Sequence, residues 1–410
     1  MTPGLQDALR LDAEDPLAAF RDRFDLPDGV LYLDGNSLGA LPSATPQRLA
    51  EVTRQEWGQG LIRSWNAADW IGAPQRVGGK IARLIGAETD EVIVADSTSV
   101  NLYKLLSAGL TASPGRRVIL SEPGNFPTDL YIAQGLAAAD ASVSVRTLPR
   151  DEIIAAASPD TLVMLTHVHY KTGQKFDMRA VTQAVQAKGG MILWDLSHSA
   201  GAVELELSAN SVDLAVGCGY KYLNGGPGAP AFLYVAQRHQ AALRSPLSGW
   251  MGHAAPFAFG DDYAPAPGLD RFLCGTPPIL SLAALECGVD LFLEADMTAV
   301  TEKSQRLCDL FIAWVEDHCA GCGLTLLTPR DPASRGSHVS FAHANGYDVM
   351  QALIARGVIG DYREPNAMRF GFTPLYLGYA DVWRAVQVLK DILTTRAWDD
   401  PRYAARAAVT

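Results

Sequence analysis

Short apolar runs alternate with stretches of helical spacing through the middle of the chain, and this alternation restricts the fold more than any other feature. Strands are predicted at 92–95, 117–120, 161–166, 191–194, 212–217 and 231–235, and helices at 102–108, 130–139 and 178–188. Such alternation is typical of a mostly parallel sheet with helices on both faces. The sequence therefore predicts an α/β fold whose large domain is built on that sheet.

The last third of the chain predicts a smaller α+β domain. A long helical stretch from 280 to about 319, broken near 296, leads into it. The elements that follow are strands at 336–341, 358–361 and 368–372 and helices at 347–356 and 380–393. We expect an N-terminal segment 1–50 that packs with the small domain, a large domain 51–285 and a small domain 286–410.

Composition narrows the class of protein. The 410 residues are 48% hydrophobic and 19% charged, which is typical of a compact globular chain. The balance of 34 Lys and Arg against 45 Asp and Glu gives a net charge of −11, so neither nucleic acid nor an anionic membrane is an expected partner. Without a long apolar run or a targeting pattern, we expect a cytoplasmic protein. Its six cysteines are expected to be reduced, and no metal site is expected, since Cys319 and Cys322 lack a second ligand pair.

Polar and aromatic side chains follow the predicted strands where each strand ends. In an open parallel sheet, ligands bind beyond the carboxyl ends of the strands. The residues in such positions are Ser97, Thr98, Ser99, Phe126, Asp129, Thr166, Asp195, His198 and Lys221. We expect them to lie along one edge of the sheet and to form a site.

Lys221 lies between an apolar strand and the glycine-rich segment 224–228. A partly desolvated lysine has a lowered pKa, and its free amine forms Schiff bases with carbonyl substrates or with pyridoxal phosphate. The alternative is a surface lysine at a strand end. Lys171 and Lys175 compete for the same role, but neither lies between a buried strand and a glycine loop. Lys221 is therefore the preferred nucleophile.

The other candidates each have a structural alternative. Asp195 precedes Lys221 by one strand, as required if it pairs with a pyridinium nitrogen, but a cap or an arginine partner explains it too. One hydroxyl among 97–99 suffices to cap a helix, whereas three in a row also suit phosphate. Phe126 covers a planar cofactor or packs beneath its loop.

Two further side chains also have both a structural and a functional interpretation. Arg369 lies inside an apolar strand and needs an anionic partner, either a structural acid or a substrate carboxylate. Trp65 is a core residue or a flat platform for a ligand ring. The loop 34–39 is rich in turn residues and is expected to be a hinge or the rim of the site.

Six stretches resemble those of bacterial kynureninases, which are fold-type-I pyridoxal-phosphate enzymes of the aspartate aminotransferase superfamily. They are YLDGNSLG at 32–39, GLIRSWN at 60–66, NFPTDLY at 125–131, WDLSHSAG at 194–201, YKYLNGGPG at 220–228 and MRFGFTP at 368–374. Together they extend over nearly the whole chain. The resemblance implies a fold-type-I transferase fold with a seven-stranded type of sheet, and pyridoxal 5'-phosphate as cofactor.

The resemblance also implies roles around the cofactor. Lys221 would form the Schiff base, and Asp195, helped by Asp129, would pair with the ring nitrogen. The remaining cofactor contacts would be Phe126 on the ring, Thr98, Ser99 and Tyr220 at the phosphate, Thr166 and His198 in the surrounding shell, and Trp250 and Thr276 from the partner subunit of a homodimer. Arg369 would bind the substrate α-carboxylate, and Trp65 would border the aniline ring.

The reaction implied is hydrolysis of L-kynurenine, or of 3-hydroxykynurenine, to anthranilate or 3-hydroxyanthranilate and L-alanine in tryptophan catabolism. Lys221 and Tyr220 would move protons. A class-V aminotransferase or a cysteine-desulfurase-like lyase is the alternative among enzymes, and Cys274 is the loop cysteine that a desulfurase would need. A non-catalytic binding protein on the same scaffold is the other alternative. The joint presence of Lys221, Asp195 and Arg369 argues against it.

Overall fold

The computed structural model describes residues 3–406, and strands and helices alternate through its first half as the sequence predicts. The strands are β1 (Phe24–Asp25), β2 (Leu31–Tyr32), β3 (Leu41–Pro42), β4 (Val92–Val94), β5 (Val118–Ser121), β6 (Ser144–Thr147), β7 (Thr161–Thr166), β8 (Met191–Asp195), β9 (Leu214–Gly217), β10 (Phe232–Val235), β11 (Thr325–Leu326), β12 (His338–Ala342), β13 (Val358–Ile359), β14 (Asp361–Arg363) and β15 (Ala367–Gly371).

The helices pack against both the large sheet and the smaller one. They are α1 (Leu5–Ala13), α2 (Thr45–Glu51), α3 (Ser64–Ala67), α4 (Ala73–Leu84), α5 (Thr98–Thr111), α6 (Pro127–Ala139), α7 (Arg150–Ala156), α8 (Met178–Ala187), α9 (Gln237–Gln240), α10 (Ile279–Glu294), α11 (Met297–His318), α12 (Gly346–Ala355) and α13 (Tyr379–Thr395). Among residues 3–406, no helix is long and apolar enough to cross a membrane.

The large sheet has seven strands in the order β4-β10-β9-β8-β7-β5-β6. β10 is antiparallel to both of its neighbours, and the other pairs are parallel. β7, β8 and β9 are buried along their whole length, which explains why they read as unbroken apolar runs. The predicted α/β fold is confirmed, and the carboxyl ends of the parallel strands share one edge.

The C-terminal part contains an antiparallel sheet in the order β11-β12-β15-β14. The N-terminal segment joins it, because β2 pairs in parallel with β13. The carboxylate of Asp12 accepts hydrogen bonds from the backbone N–H of Tyr379 at 2.6 Å and of Ala380 at 3.0 Å, at the start of α13. The N-terminal segment is therefore fixed to the C-terminal part.

Several sequence predictions of elements were wrong in detail. The single strand predicted at 358–361 is two strands in different sheets, with Gly360 between them. A Cβ at Gly360 would lie 2.8 Å from the Arg369 carbonyl oxygen, so the bend needs glycine. The edge strand β6 was missed because its side chains are mostly exposed and give no apolar run. Outside these predictions, helix α2 continues directly into the π-helical segment Val52–Gly60.

Candidate active site

A cleft of about 360 Å³ opens at the carboxyl edge of the large sheet. Its lining combines residues of the large domain with residues from the loop after β2 and from β14 and β15. The lining residues are Asn36, Ser37, Phe126, Pro127, Tyr170, His198, Tyr220, Lys221, Arg363 and Arg369. Five of the residues predicted from the sequence therefore meet in one place.

Lys221 lies in the connection between β9 and β10, and only 8% of it is exposed. Its backbone is fixed, since the Lys221 carbonyl accepts from Asn224 N at 2.9 Å and the Tyr220 carbonyl accepts from Gly39 N at 2.8 Å. A Cβ at Gly39 would lie 2.3 Å from the Lys221 carbonyl oxygen, so this approach needs glycine. Lys171 and Lys175 are outside the cleft lining. Lys221 is thus the lysine of the cleft.

The Lys221 amine faces aromatic rings. Its Nζ is 5.7 Å from the centre of the Phe126 ring and 5.8 Å from that of Tyr220. It also lies 3.5 Å from Nε2 of His198. Burial, reinforced by the charges of Lys221 and Arg369, lowers the pKa of His198, so its imidazole is neutral at pH 7. The amine therefore has a neutral neighbour on that side.

Two buried carboxyl groups, Asp129 and Asp195, interact electrostatically with Lys221. Asp195 ends β8 and accepts a hydrogen bond from Ser197 N at 2.7 Å, while Asp129 in the first turn of α6 accepts from Thr166 Oγ at 3.2 Å. Burial raises the pKa of both carboxyl groups, and the charge of Asp195 raises that of Asp129 further. Within residues 3–406, Oδ1 of Asp129 has no hydrogen-bond partner although it is buried. The pair is placed to accept a cationic N–H group.

This arrangement fits pyridoxal 5'-phosphate. A protonated ring nitrogen would satisfy the unpartnered Asp129 oxygen and would compensate the burial of the carboxylates. The Phe126 ring and the Lys221 amine both line the cleft, with Lys221 Nζ 5.7 Å from the ring centre, so a flat ring could pack on Phe126 with an aldehyde carbon near the amine. The chemistry of the donor set therefore agrees with the predicted cofactor.

At the start of α5, one hydroxyl side chain caps the helix and the next two are not needed for capping. Ser97 is the N-cap, and its hydroxyl accepts from Val100 N at 3.3 Å. Thr98 and Ser99 occupy the first two helical positions and are half-buried. Since Ser97 caps the helix, the hydroxyls of Thr98 and Ser99 are not needed for that purpose. Their phosphate role stays a prediction.

Arg369 is buried, with 2% of its side chain exposed, and has a structural acid partner. Asp361 lies directly opposite on β14, and its Oδ1 accepts from Arg369 Nε at 2.8 Å. Of the two anionic partners that the sequence allowed for Arg369, the structural acid is therefore present in the structure. A role with a substrate carboxylate stays a prediction, supported by the position of Arg369 in the cleft lining.

Eight predicted site residues are outside the lining of this cleft: Thr98, Ser99, Asp129, Thr166 and Asp195, described above, and Trp65, Trp250 and Thr276. Trp65 packs edge to face on Trp70, with ring centres 5.9 Å apart. Trp250 and Thr276 are exposed in the loops before α10, as residues that reach a partner subunit would be, and that role stays a prediction. Cys274, the cysteine that a desulfurase would need, is also outside the lining.

Sequence reasoning missed Tyr170 and Arg363. Tyr170 packs edge to face on Phe126 at 5.3 Å, and its carbonyl accepts from Arg369 Nη1 at 2.6 Å. Arg363 lies two residues after Asp361 on β14, so the two side chains share a face. That alternation was the signal available in the sequence for Arg363.

Known proteins are similar to this chain over nearly its whole length. Residues 300–389 match a family model described as the kynureninase C-terminal domain. The chain is 56% identical over 412 residues to a kynureninase of Burkholderia mallei strain SAVP1, with 99% of both chains covered. It is 53% identical over 411 residues to a kynureninase of Pseudomonas fluorescens, with 98% of this chain and 99% of that one covered.

Solved structures at low identity share the fold. A cysteine desulfurase from Thermococcus onnurineus NA1 in its apo form has a TM-score of 0.77 at 18% identity and covers 92% of this chain and 98% of its own. A lysine-to-alanine mutant of C-DES, with glycine covalently linked to its pyridoxal-phosphate cofactor, has a TM-score of 0.78 at 18% identity and covers 90% and 99%. At this identity the likeness concerns the fold, which is that of fold-type-I pyridoxal-phosphate enzymes.

Proposed function

The chain belongs to the kynureninase family, and on that premise we propose that it hydrolyses L-kynurenine to anthranilate and L-alanine at the cleft that contains Lys221. The observation that carries the proposal is that Arg369 of the small sheet meets the Lys221 amine in one cleft, next to the buried Asp129–Asp195 pair at the carboxyl edge of the large sheet. Pyridoxal 5'-phosphate supplies an electron-withdrawing ring that stabilises negative charge at the substrate α-carbon. The other reading among enzymes, a desulfurase, has no cysteine in the cleft lining to support it.

Residues of the chain bind the cofactor and take up the α-proton of the substrate. Lys221 Nζ holds the cofactor and then takes the α-proton of the substrate. Asp195, with Asp129, keeps the cofactor ring nitrogen protonated, because two buried carboxyl groups favour a cation beside them. Phe126 packs on the ring, Thr166 and His198 complete the shell, and Thr98, Ser99 and Tyr220 hold the phosphate.

Tyr220 acts as the second proton carrier. Burial raises the pKa of its phenol, so the group keeps its proton at neutral pH and donates rather than accepts. Water adds to the γ-carbonyl carbon of the substrate, the Cβ–Cγ bond breaks, and the new carboxyl group leaves on the aromatic product. The β-carbon left on the alanine fragment takes up a proton that Tyr220 or Lys221 supplies, and Lys221 Nζ returns a proton to the α-carbon before L-alanine leaves.

The substrate is held at its two ends. Arg369 binds the α-carboxylate through a charged hydrogen bond. Trp65 borders the aniline ring, a role that requires the dimer to bring it to a cleft. Whether a hydroxyl at position 3 of that ring is favoured depends on contacts to a single group, so both substrates are compared in the assay.

We propose a homodimer in which Trp250 and Thr276 complete the phosphate site of the partner subunit. Large apolar side chains are exposed on the same loop region as Trp250, among them Phe257 at 60% and Phe259 at 76%. Contiguous exposed apolar surface is typical of an interface. The division into 1–50, 51–285 and 286–410 and a cytoplasmic location belong to the same proposal.

The test is the fluorescence of anthranilate released from L-kynurenine by protein loaded with pyridoxal 5'-phosphate. We expect release of equal amounts of anthranilate and L-alanine, with 3-hydroxykynurenine assayed in parallel. Loaded protein that releases neither aromatic product would contradict the named reaction and leave the fold unaffected. L-cysteine and an amino-group acceptor serve as substrates for the two alternative reactions.

A further inference from the structure

The two arginines of the cleft differ in how many of their N–H donors remain for a ligand. A guanidinium carries five N–H donors in a fixed planar arrangement. Arg369 uses Nε for Asp361, Nη2 for Asp361 and for Ser37 Oγ at 2.7 Å, and Nη1 for the Tyr170 carbonyl. Its remaining N–H faces the neutral ring of His198 at 3.5 Å. Arg369 is thus surrounded by acceptors of the protein itself.

Arg363 is the more open of the two. Its Nη2 contacts Asp361 at 2.6 Å and Ser37 Oγ at 3.4 Å, while residues 3–406 supply no hydrogen-bond partner for its Nε and Nη1. Its side chain is 39% exposed and lines the cleft, whereas that of Arg369 is 2% exposed. The donors available for an incoming anion are therefore mainly those of Arg363.

The sheet register explains why the two guanidinium groups come together. Asp361 lies opposite Arg369, and Arg363 follows Asp361 by two residues, so all three side chains lie on one face of the β14–β15 pair. Both arginines contact the same carboxylate oxygen of Asp361. The charge of a second carboxyl group, Asp34, also acts on both arginines, and burial raises the pKa of Asp34 to about 7. When Asp34 holds its proton, one carboxylate faces two cations, which leaves a positive charge at this end of the cleft.

The effects of neighbouring charges on pKa values agree with an excess of positive charge at this end of the cleft. Burial lowers the pKa of Arg363, and the charge of Arg369 adds to the effect. The charge of Arg363 also acts on Tyr220 and His198, which places its guanidinium beside the proposed reaction centre. An anion bound between the two arginines would relieve their repulsion.

From this geometry we propose that Arg363 is a second substrate-binding residue, which holds the α-carboxylate of the amino-acid substrate together with the edge of Arg369. The inference rests on the proposed function for the identity of the substrate. Arg369, fixed by Asp361, Ser37 and Tyr170, positions the carboxylate, and Arg363 supplies the unpaired N–H donors at Nε and Nη1. Substrates without a carboxylate gain nothing from Arg363.

The test compares ligands with and without the carboxylate in Arg363→Met and Arg363→Lys. The ligands are L-kynurenine, L-alanine and the amine that corresponds to L-kynurenine without its carboxyl group. For Arg363→Met we expect KM for L-kynurenine and the dissociation constant of L-alanine to rise together, by roughly 10- to 100-fold, with little change in kcat. Binding of the amine should change less than about twofold.

Arg363→Lys keeps the charge and loses the fixed planar arrangement of N–H donors, so it should recover part of the affinity for L-alanine. Arg356→Met is the matched control, because Arg356 has 38% side-chain exposure and pairs with Asp391 on the surface. Unchanged L-alanine binding in Arg363→Met, an equal loss for the amine, or no recovery in a folded Arg363→Lys protein would each overturn the proposal. L-alanine binding is read from the cofactor absorbance, so the result stands apart from whether the wild-type protein releases anthranilate.

Discussion

At the scale of single residues, the site places a buried lysine amine next to a neutral imidazole. Lys221 is 8% exposed, and its nearest titratable neighbour, His198, is kept neutral by burial. The carboxyl groups of Asp129 and Asp195 are buried nearby, and the charge of Lys221 acts on both. An amine in this position gains no strong ion pair within hydrogen-bond distance, so it stays available for a carbonyl group.

Replacement of Lys221 tests this directly. We expect Lys221→Ala to lack the visible absorbance of a lysine-bound cofactor and to lose more than about 100-fold in turnover, since both the attachment and the proton carrier are removed. Lys175→Ala is the control, because Lys175 lies on a strand-end loop outside the cleft lining. An intact spectrum in Lys221→Ala together with a lost spectrum in Lys175→Ala would assign the role to Lys175.

The phenol of Tyr220 is expected to affect rate more than binding. Tyr220→Phe removes a proton donor, so kcat should fall by roughly 100-fold while KM changes less than about threefold at saturating cofactor. The matched control is Tyr222→Phe, because the Tyr222 hydroxyl donates to the Ser337 carbonyl at 3.0 Å and is fully buried. That variant should lose about 1 kcal/mol of stability and keep its rate. An unchanged rate in Tyr220→Phe would remove Tyr220 from the chemistry.

At the scale of elements, adjacent hydroxyl side chains at the start of α5 are expected to serve two functions, helix capping and cofactor binding. Ser97 caps the helix, whereas Thr98 and Ser99 are free of that task. We expect Ser97→Ala to lower the free energy of unfolding by about 1 kcal/mol with little change in cofactor affinity. Thr98→Val should do the reverse and weaken cofactor binding, because only the hydroxyl is lost.

Thermal unfolding of the cofactor-free proteins and titration with pyridoxal 5'-phosphate measure the two effects separately. Cofactor affinity that falls in Ser97→Ala as much as in Thr98→Val would mean that the helix start acts as a unit. In that case the separation of capping from phosphate binding is wrong.

Strand ends were the part of the site that sequence alone predicted well. β7 and β8 are buried on both faces, so their apolar runs and the polar residues after them, Thr166 and Asp195, are visible in the pattern. Arg363 was hidden because its role depends on the pairing of β14 with β15 and on the break at Gly360, which make one apparent strand into two. Cross-strand register is a long-range property that short windows do not contain.

At the scale of the whole molecule, the N-terminal segment connects the two halves of the site. β2 pairs with β13 beside the small sheet, and the loop after it places Asn36 and Ser37 in the cleft and Gly39 against the backbone of Lys221. One short loop therefore fixes the position of the lysine of the large domain relative to the arginines of the small sheet. This explains why turn residues rather than apolar ones dominate 34–39.

Subunit exchange tests whether residues of one chain complete the site of another. Lys221→Ala protein and a Trp250→Ala, Thr276→Ala double variant are each expected to have little activity. If Trp250 and Thr276 act across the interface, a mixed dimer contains one site with every native residue and one site with all the changes. Mixing the two inactive proteins should then restore up to about one quarter of the wild-type activity, since random exchange makes half of the dimers mixed and half of their sites native. If the two residues act within their own chain, each site of the mixed dimer carries a defect, and no activity returns. Sedimentation of the mixture establishes that dimers have formed, and differently tagged subunits establish that they have exchanged.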